Sequence, residues 1–404
     1  MRQQQWQRPG FRFYQGQLKI VSDRVSYLLD TWPDLRSRRK TADSGYWQEI
    51  TPGFRLLKPR VSNGDEALLG PERLESSAVD PLLEKAQAFR SFRHSLPPDV
   101  AKAVEVVPNR QWDLLLFCRQ NSRFAELVES NPALAYCVTQ CDAICGMVHD
   151  IELVANRVVK MKQRDILDWL GFPGAKSWIK ILRKFDPGAL RVDEMKRLLR
   201  TSETSSVEGA LGHLRRINIG VMRIVSDWRY RNMIAPSLLE EVANEPEERR
   251  RPATAEMLCG ILAMLEQMKE QFTYRRFPSI PKVRTAHQEV TERFNLLKQG
   301  RGRKGLFPAA PIQGTIDIVP IKNVAELTTE GWEQKNCVGS YAKRVKAREV
   351  YIYRVLRPER ATLSIGPTGG GWGIRELKCK CNESVSPETE AAVQRWLDEH
   401  SLGV

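Results

Sequence analysis

Cys337 lies in the stretch Asn336-Cys337-Val338-Gly339-Ser340-Tyr341, with Lys343 and Arg344 close behind. A thiol becomes nucleophilic when its thiolate is stabilised by a helix start or by nearby cations. Both are on offer here: SYAKRVKAR reads as a helix beginning just after Cys337, and Lys335, Lys343 and Arg344 are close in sequence. A nucleophilic cysteine also needs a base, usually histidine, and residues 315–404 contain only His400. Cys337 is therefore the candidate nucleophile of this stretch. The competing reading makes Cys337 a small buried residue at a helix start, a common fate of free cysteine.

The other cysteines offer less chemistry. Cys379 and Cys381 form a C-x-C pair at the end of a strand, where alternation would turn both to one face. With Cys337 they make three thiolates, but structural zinc wants four ligands in C-x(2–4)-C pairs. No metal is expected. Cys137, Cys141 and Cys145 recur every four residues, one stripe of a helix, and read as a packing seam with Leu134, Ile144 and Val148. The loop KQGRGRKG lacks the phosphate-loop spacing, and GPTGGGWG lies between two strands, as a hairpin loop does. H-E-x-x-H, G-x-S-x-G and kinase signatures are absent, and no cofactor is expected.

The 404 residues carry 63 Lys and Arg against 49 Asp and Glu, a net charge of +14, with 42% apolar and 28% charged residues. That composition is globular, and the excess of positive charge favours a polyanion partner, DNA or RNA. Between Arg157 and Arg229 there are 16 Lys and Arg against 8 Asp and Glu, interleaved with Trp169, Trp178 and Trp228. Cations neutralise phosphates and aromatic faces stack bases, while tryptophan at helical spacing is also a core residue. The candidate nucleic-acid contacts are Lys343, Arg344, Arg301, Arg303, Lys304, Lys180, Arg183 and Lys184. No apolar run is long enough to span a membrane, and MRQQQWQRPGFRF has no apolar core of a secretory signal. The expected location is the cytoplasm, with reduced thiols.

The elements that must position these residues fall into four stretches. Residues 1–75 are basic and aromatic-rich, with FRFYQGQLKIV alternating as one or two strands. Residues 76–277 carry short helical patterns broken by Gly, Pro and Asp, an irregular helical array. One helix is expected from Asn131-Pro132 through the cysteine stripe to RVV. Residues 278–314 read as a Pro/Gly/basic linker. Residues 315–404 turn to α+β: TIDIVPI as a strand, VAELTTEGWEQ as a helix, REVYIYRVL, ATLSIG and WGIRELKCKC as strands, and a last helix capped by Ser386 with Pro387 in its first turn. The fold class expected is a mainly α N-terminal and central helical array with a C-terminal α+β domain, a short antiparallel sheet plus helices. Thr362 and Ser364 share one face of their strand, leaving Leu363 and Ile365 for the core.

The segments NCVGSYAKRV, VYIYRV, ATLSI and WGIRELKCKCNESVSPETEAAVQRWL together resemble the PcfJ-like domain of conjugative plasmids, phages and other mobile elements. Cys337, Val338, Gly339 and Tyr341 match its first segment, Thr362 and Leu363 its strand, Lys378 and Asn382 its last segment, and Trp396 its helix. Asn336 stands where the family usually has His, Glu376 where it has Gln, and Cys379 where it has Gly. The resemblance covers about 333–398 and implies a mobile-element context, not a mechanism; its matched positions suggest the candidate catalytic set Cys337, Tyr341, Lys378 and Asn382, with Cys337 as nucleophile and Lys378 or Arg344 stabilising an anion. The expected functions are nucleic-acid binding through a basic surface, an enzyme centred on Cys337, or a module that binds a protein of the plasmid or phage machinery.

Overall fold

The computed structural model describes residues 9–22, 25–42, 44–57, 81–147, 150–230, 232–247, 250–273, 276–299, 305–368 and 371–400. The chain divides into two compact units, 1–228 and 229–404.

The first unit opens with an antiparallel meander of five strands: β1 (Gly10–Tyr14), β2 (Gln17–Val21), β3 (Val25–Asp30), β4 (Ser37–Thr41) and β5 (Gln48–Glu49), paired in chain order. The alternation in FRFYQGQLKIV supplies β1 and β2, and Gly16 takes the positive φ that their tight turn demands. The remaining strands extend the small β segment expected there.

Short helices follow: α1 (Pro81–His94), α2 (Pro98–Glu105), α3 (Gln111–Gln120), α4 (Phe124–Ser130), α5 (Pro132–Thr139), α6 (Cys141–Cys145), α7 (Ile151–Val158), α8 (Gln163–Trp169), α9 (Lys176–Leu182), α10 (Val192–Thr201), α11 (Ser205–His213) and α12 (Ile219–Val225). They form the expected helical array. The single helix expected from Asn131 to RVV is three helices instead. Asn131 does cap α5, accepting from the Leu134 N–H, but Gln140 leaves the helical region and Gly146, left-handed, stops α6. Cys137 and Cys141 are buried, and the Cys145 thiol donates to the Leu170 carbonyl. Val148 lies outside the described residues. Trp178 is fully buried, so it belongs to the core, whereas Trp228 is exposed and Trp169 stacks under Arg157.

The second unit holds α13 (Pro236–Ala243), α14 (Ala253–Met268), α15 (Ile280–Gln299), β6 (Ile318–Pro320), α16 (Val324–Glu333), a 3₁₀ turn Cys337–Tyr341, α17 (Ala342–Lys346), β7 (Tyr351–Val355), β8 (Ala361–Thr368), β9 (Gly371–Lys378) and α18 (Pro387–His400). The four strands pair antiparallel in chain order. Where the sequence reads as a linker, 280–299 is a helix of 20 residues. Pro281 obscures it by sitting in the first turn, where proline is tolerated. Val283, Ala286, His287, Val290 and Phe294 are its buried stripe.

Each face of the C-terminal sheet has its own core. Tyr353, Leu363 and Ile365 pack with Val393 and Trp396 of α18, the Trp396 ring edge-on to Tyr353 at 5.0 Å. The other face gathers Ile352, Leu327, Val338 and Val345. Thr362 and Ser364 lie opposite Leu363 and Ile365, as strand alternation requires. Among the described residues, no helix is long and apolar enough to cross a membrane.

Candidate active site

Strand register assembles the floor of the site. In the antiparallel pairing Thr362 faces Lys378 and Ser364 faces Glu376 across β8 and β9, so these four side chains stand in two adjacent rows on one face. Beyond Ser364 the register shifts by a bulge, which ends the regular row at the rim of the site.

The 3₁₀ turn carrying Cys337 is held over that floor by polar ties. Asn336 accepts from the Val338 N–H at 3.1 Å and donates to the Thr362 hydroxyl at 3.1 Å. Thr362 donates in turn to Glu330 at 2.6 Å. Glu330 is fully buried and bridges Arg354 at 3.0 Å and Arg360 at 2.6 Å, so its charge is paired rather than stranded. Gln267 of α14 donates to the Ser340 carbonyl, and Asn295 of α15 donates to the Gly331 carbonyl. The chain after β9 is pinned by the Cys381 N–H, which donates to the Gln334 carbonyl at 2.8 Å. Lys335, Cys381 and Asn382 all take left-handed backbone, an uncommon state for residues other than glycine.

These elements enclose a cavity of about 590 Å³ whose wall includes Cys337, Tyr341, Glu376, Lys378, Asn382 and His287. All four catalytic candidates are therefore brought to one cavity. The histidine was not legible in residues 315–404. It comes from α15, inside the supposed linker, and both it and Cys337 line the cavity beside Gly260 of α14. A Cβ at 260 would lie 2.8 Å from His287 Nε2 and 3.6 Å from Cys337 Sγ. Only glycine leaves room there for ring and sulfur together.

Burial governs the electrostatics. It pushes the Cys337 thiol up to about 12, reinforced by the Glu376 carboxylate and partly opposed by the Tyr341 hydrogen bond. The cations expected to hold the thiolate do not prevail. Lys343 is exposed, and Arg344 instead stacks on the Tyr341 ring at 4.6 Å and faces Glu349 at 3.7 Å. Burial also pushes His287 down to about 4, so its imidazole is neutral at pH 7 and its protonated form is disfavoured there. The Tyr341 hydroxyl donates to Glu376 at 3.0 Å, and burial followed by the nearby Glu256 raises the Glu376 carboxyl. The resting site thus holds a protonated thiol and a neutral imidazole in one cavity wall, with the Tyr341–Glu376 pair in the same wall.

Cys379 and Cys381 part company because β9 ends at Lys378. Cys379 turns into the α18 core, and Cys381 is exposed on the following turn.

Of the basic candidates, Lys180 is exposed on α9, and just beyond it Arg183 bonds Gln163 and Lys184 bonds the Gly212 carbonyl. Arg301, Arg303 and Lys304 lie outside the described residues.

An α+β domain with a four-stranded antiparallel sheet, closed over a cysteine-bearing cavity by two long helices, is the class that fold and site define. Residues 257–394 match the family of PcfJ-like proteins, and the C-terminal region of the chain is PcfJ-like. The matched stretch includes the whole of α15, and so His287, as well as the segments after 333 as far as Gln394. No curated protein and no solved structure matches the chain.

Proposed function

We propose that the PcfJ-like region is an enzyme domain whose nucleophile is Cys337 and whose base is His287. The observation that carries this reading is that the His287 imidazole and the Cys337 sulfur both come up to Gly260, at the wall of a cavity large enough for a small polar substrate. During attack the thiol proton passes to the imidazole as sulfur bonds to the substrate, and charge developing on the substrate offsets the cost of forming a buried imidazolium. Lys378 and Asn382 hold the polar end of the substrate, and the Tyr341–Glu376 pair moves a second proton.

The test is to treat the native chain with iodoacetamide and map all eight cysteines by mass spectrometry. The reading expects Cys337 to react, and to react more slowly in His287→Gln. Labelling of the exposed Cys259 and Cys381 alone would contradict it.

A second reading concerns the surface. The net charge of +14 and the exposed Lys180 and Arg183 support electrostatic binding of DNA or RNA by a cytoplasmic protein of a mobile element. Affinity should fall steeply with salt and be equal in the wild type and Cys337→Ser. No binding at low salt would remove nucleic acid as a partner and favour a protein of the plasmid or phage machinery.

A further inference from the structure

Beside the main cavity lies a side pocket of about 20 Å³, bounded by Asn336, Cys337, Ser364, Glu376, Lys378 and Asn382. It is large enough for one oxygen-sized group and little more. Ser364 is 3% exposed, and its hydroxyl finds no hydrogen-bond partner among the described residues. An unpaired buried hydroxyl is destabilising, and here it stands in the wall of a pocket that also includes Cys337. The other polar side chains nearby are occupied: Asn336 bonds Thr362, and Glu376 accepts from Tyr341. Lys378 balances the Glu376 charge and, with Asn382, adds a donor to the wall.

We infer that this side pocket receives the carbonyl oxygen of an acyl substrate, an ester or amide, with Ser364 as a donor to that oxygen and acyl transfer to Cys337 as the reaction class. The inference rests on Cys337 being the nucleophile. Its step balances within the site. The sulfur bonds to the acyl carbon, the carbonyl π pair moves onto the oxygen beside Ser364, and the thiol proton passes to His287. The pair then returns, the bond to the leaving oxygen or nitrogen breaks, and that group departs with the proton. A thioester remains, and water releases the acid and restores the thiol. A donor aimed at the developing oxyanion acts mainly in the transition state.

The experiment compares two thiol reagents on the full chain. p-Nitrophenyl acetate transfers an acyl group through a carbonyl. 4,4′-Dithiodipyridine has no oxygen and reacts by disulfide exchange. Modification of Cys337 is followed by peptide mapping. Ser364→Ala should slow acetylation about tenfold or more, leave the disulfide reaction unchanged, and leave the melting temperature equal or higher, because the lost hydroxyl had no partner. Equal effects on both reagents, or no effect on acetylation, would overturn the oxygen pocket while keeping Cys337 as nucleophile. If neither reagent modifies Cys337 in the wild type, the parent reading fails and the oxygen pocket with it.

Discussion

The Tyr341 hydroxyl lies 3.0 Å from each oxygen of the Glu376 carboxylate, joining the 3₁₀ turn of Cys337 to β9. A side-chain hydrogen bond contributes about 1 kcal/mol, and up to about 3 where its acceptor is charged. Tyr341→Phe should lower the unfolding free energy by about that much in urea titrations. It should also slow alkylation of Cys337, because the Tyr341 hydrogen bond is one of the influences that pull the thiol down. A variant as stable and as reactive as the wild type would show that the contact does not matter in solution.

His287 links folding to acid. Its folded value is depressed from 6.5 to about 4 by burial, so between those values the unfolded chain binds the proton and the folded chain does not. Stability is therefore fully present above pH 6.5 and is lost as the pH falls toward 4, by about 3 kcal/mol at most. His287→Gln should flatten that part of the stability curve, read as urea midpoints between pH 7 and 4. An unchanged slope would mean that His287 is solvated in the folded protein.

Glu330 anchors Arg354, Arg360 and Thr362 from a fully buried position. Removing one member of a buried ionic network costs about 3–5 kcal/mol, and the partial exposure of both arginines places Glu330→Ala at the lower end. Chemical denaturation should show a loss near 3 kcal/mol. Because Thr362 ties Glu330 to Asn336, Cys337 should also become less selectively labelled.

Much of the C-terminal domain was legible in the sequence because its signals are local. Alternation placed Thr362 and Ser364 on one face and Leu363 on the other, and Ser386 announced the last helix, where its hydroxyl accepts from the Thr389 N–H. The convergence of Cys337, Tyr341, Lys378 and Asn382 followed from those elements. The base was not legible. His287 is fifty residues from Cys337 along the chain, on a helix whose start is masked by prolines, and only the packing of α14 on α15 across Gly260 brings it near. The elevated thiol was not legible either, since cations close in sequence say nothing about burial. The cysteine stripe misled for the opposite reason: a spacing of four persists across the break at Gln140, where one helix ends and another begins.

The most direct test of the Cys337–His287 site is the pre-steady-state reaction with p-nitrophenyl acetate. A nucleophilic Cys337 predicts a burst approaching one equivalent of nitrophenolate per chain, the acetyl group mapped to Cys337, and a slower burst in His287→Gln. Cys337→Ser should abolish the acetylated cysteine peptide and the burst. A burst that persists in Cys337→Ser, or an acetyl group found only on Cys259 or Cys381, would contradict the account.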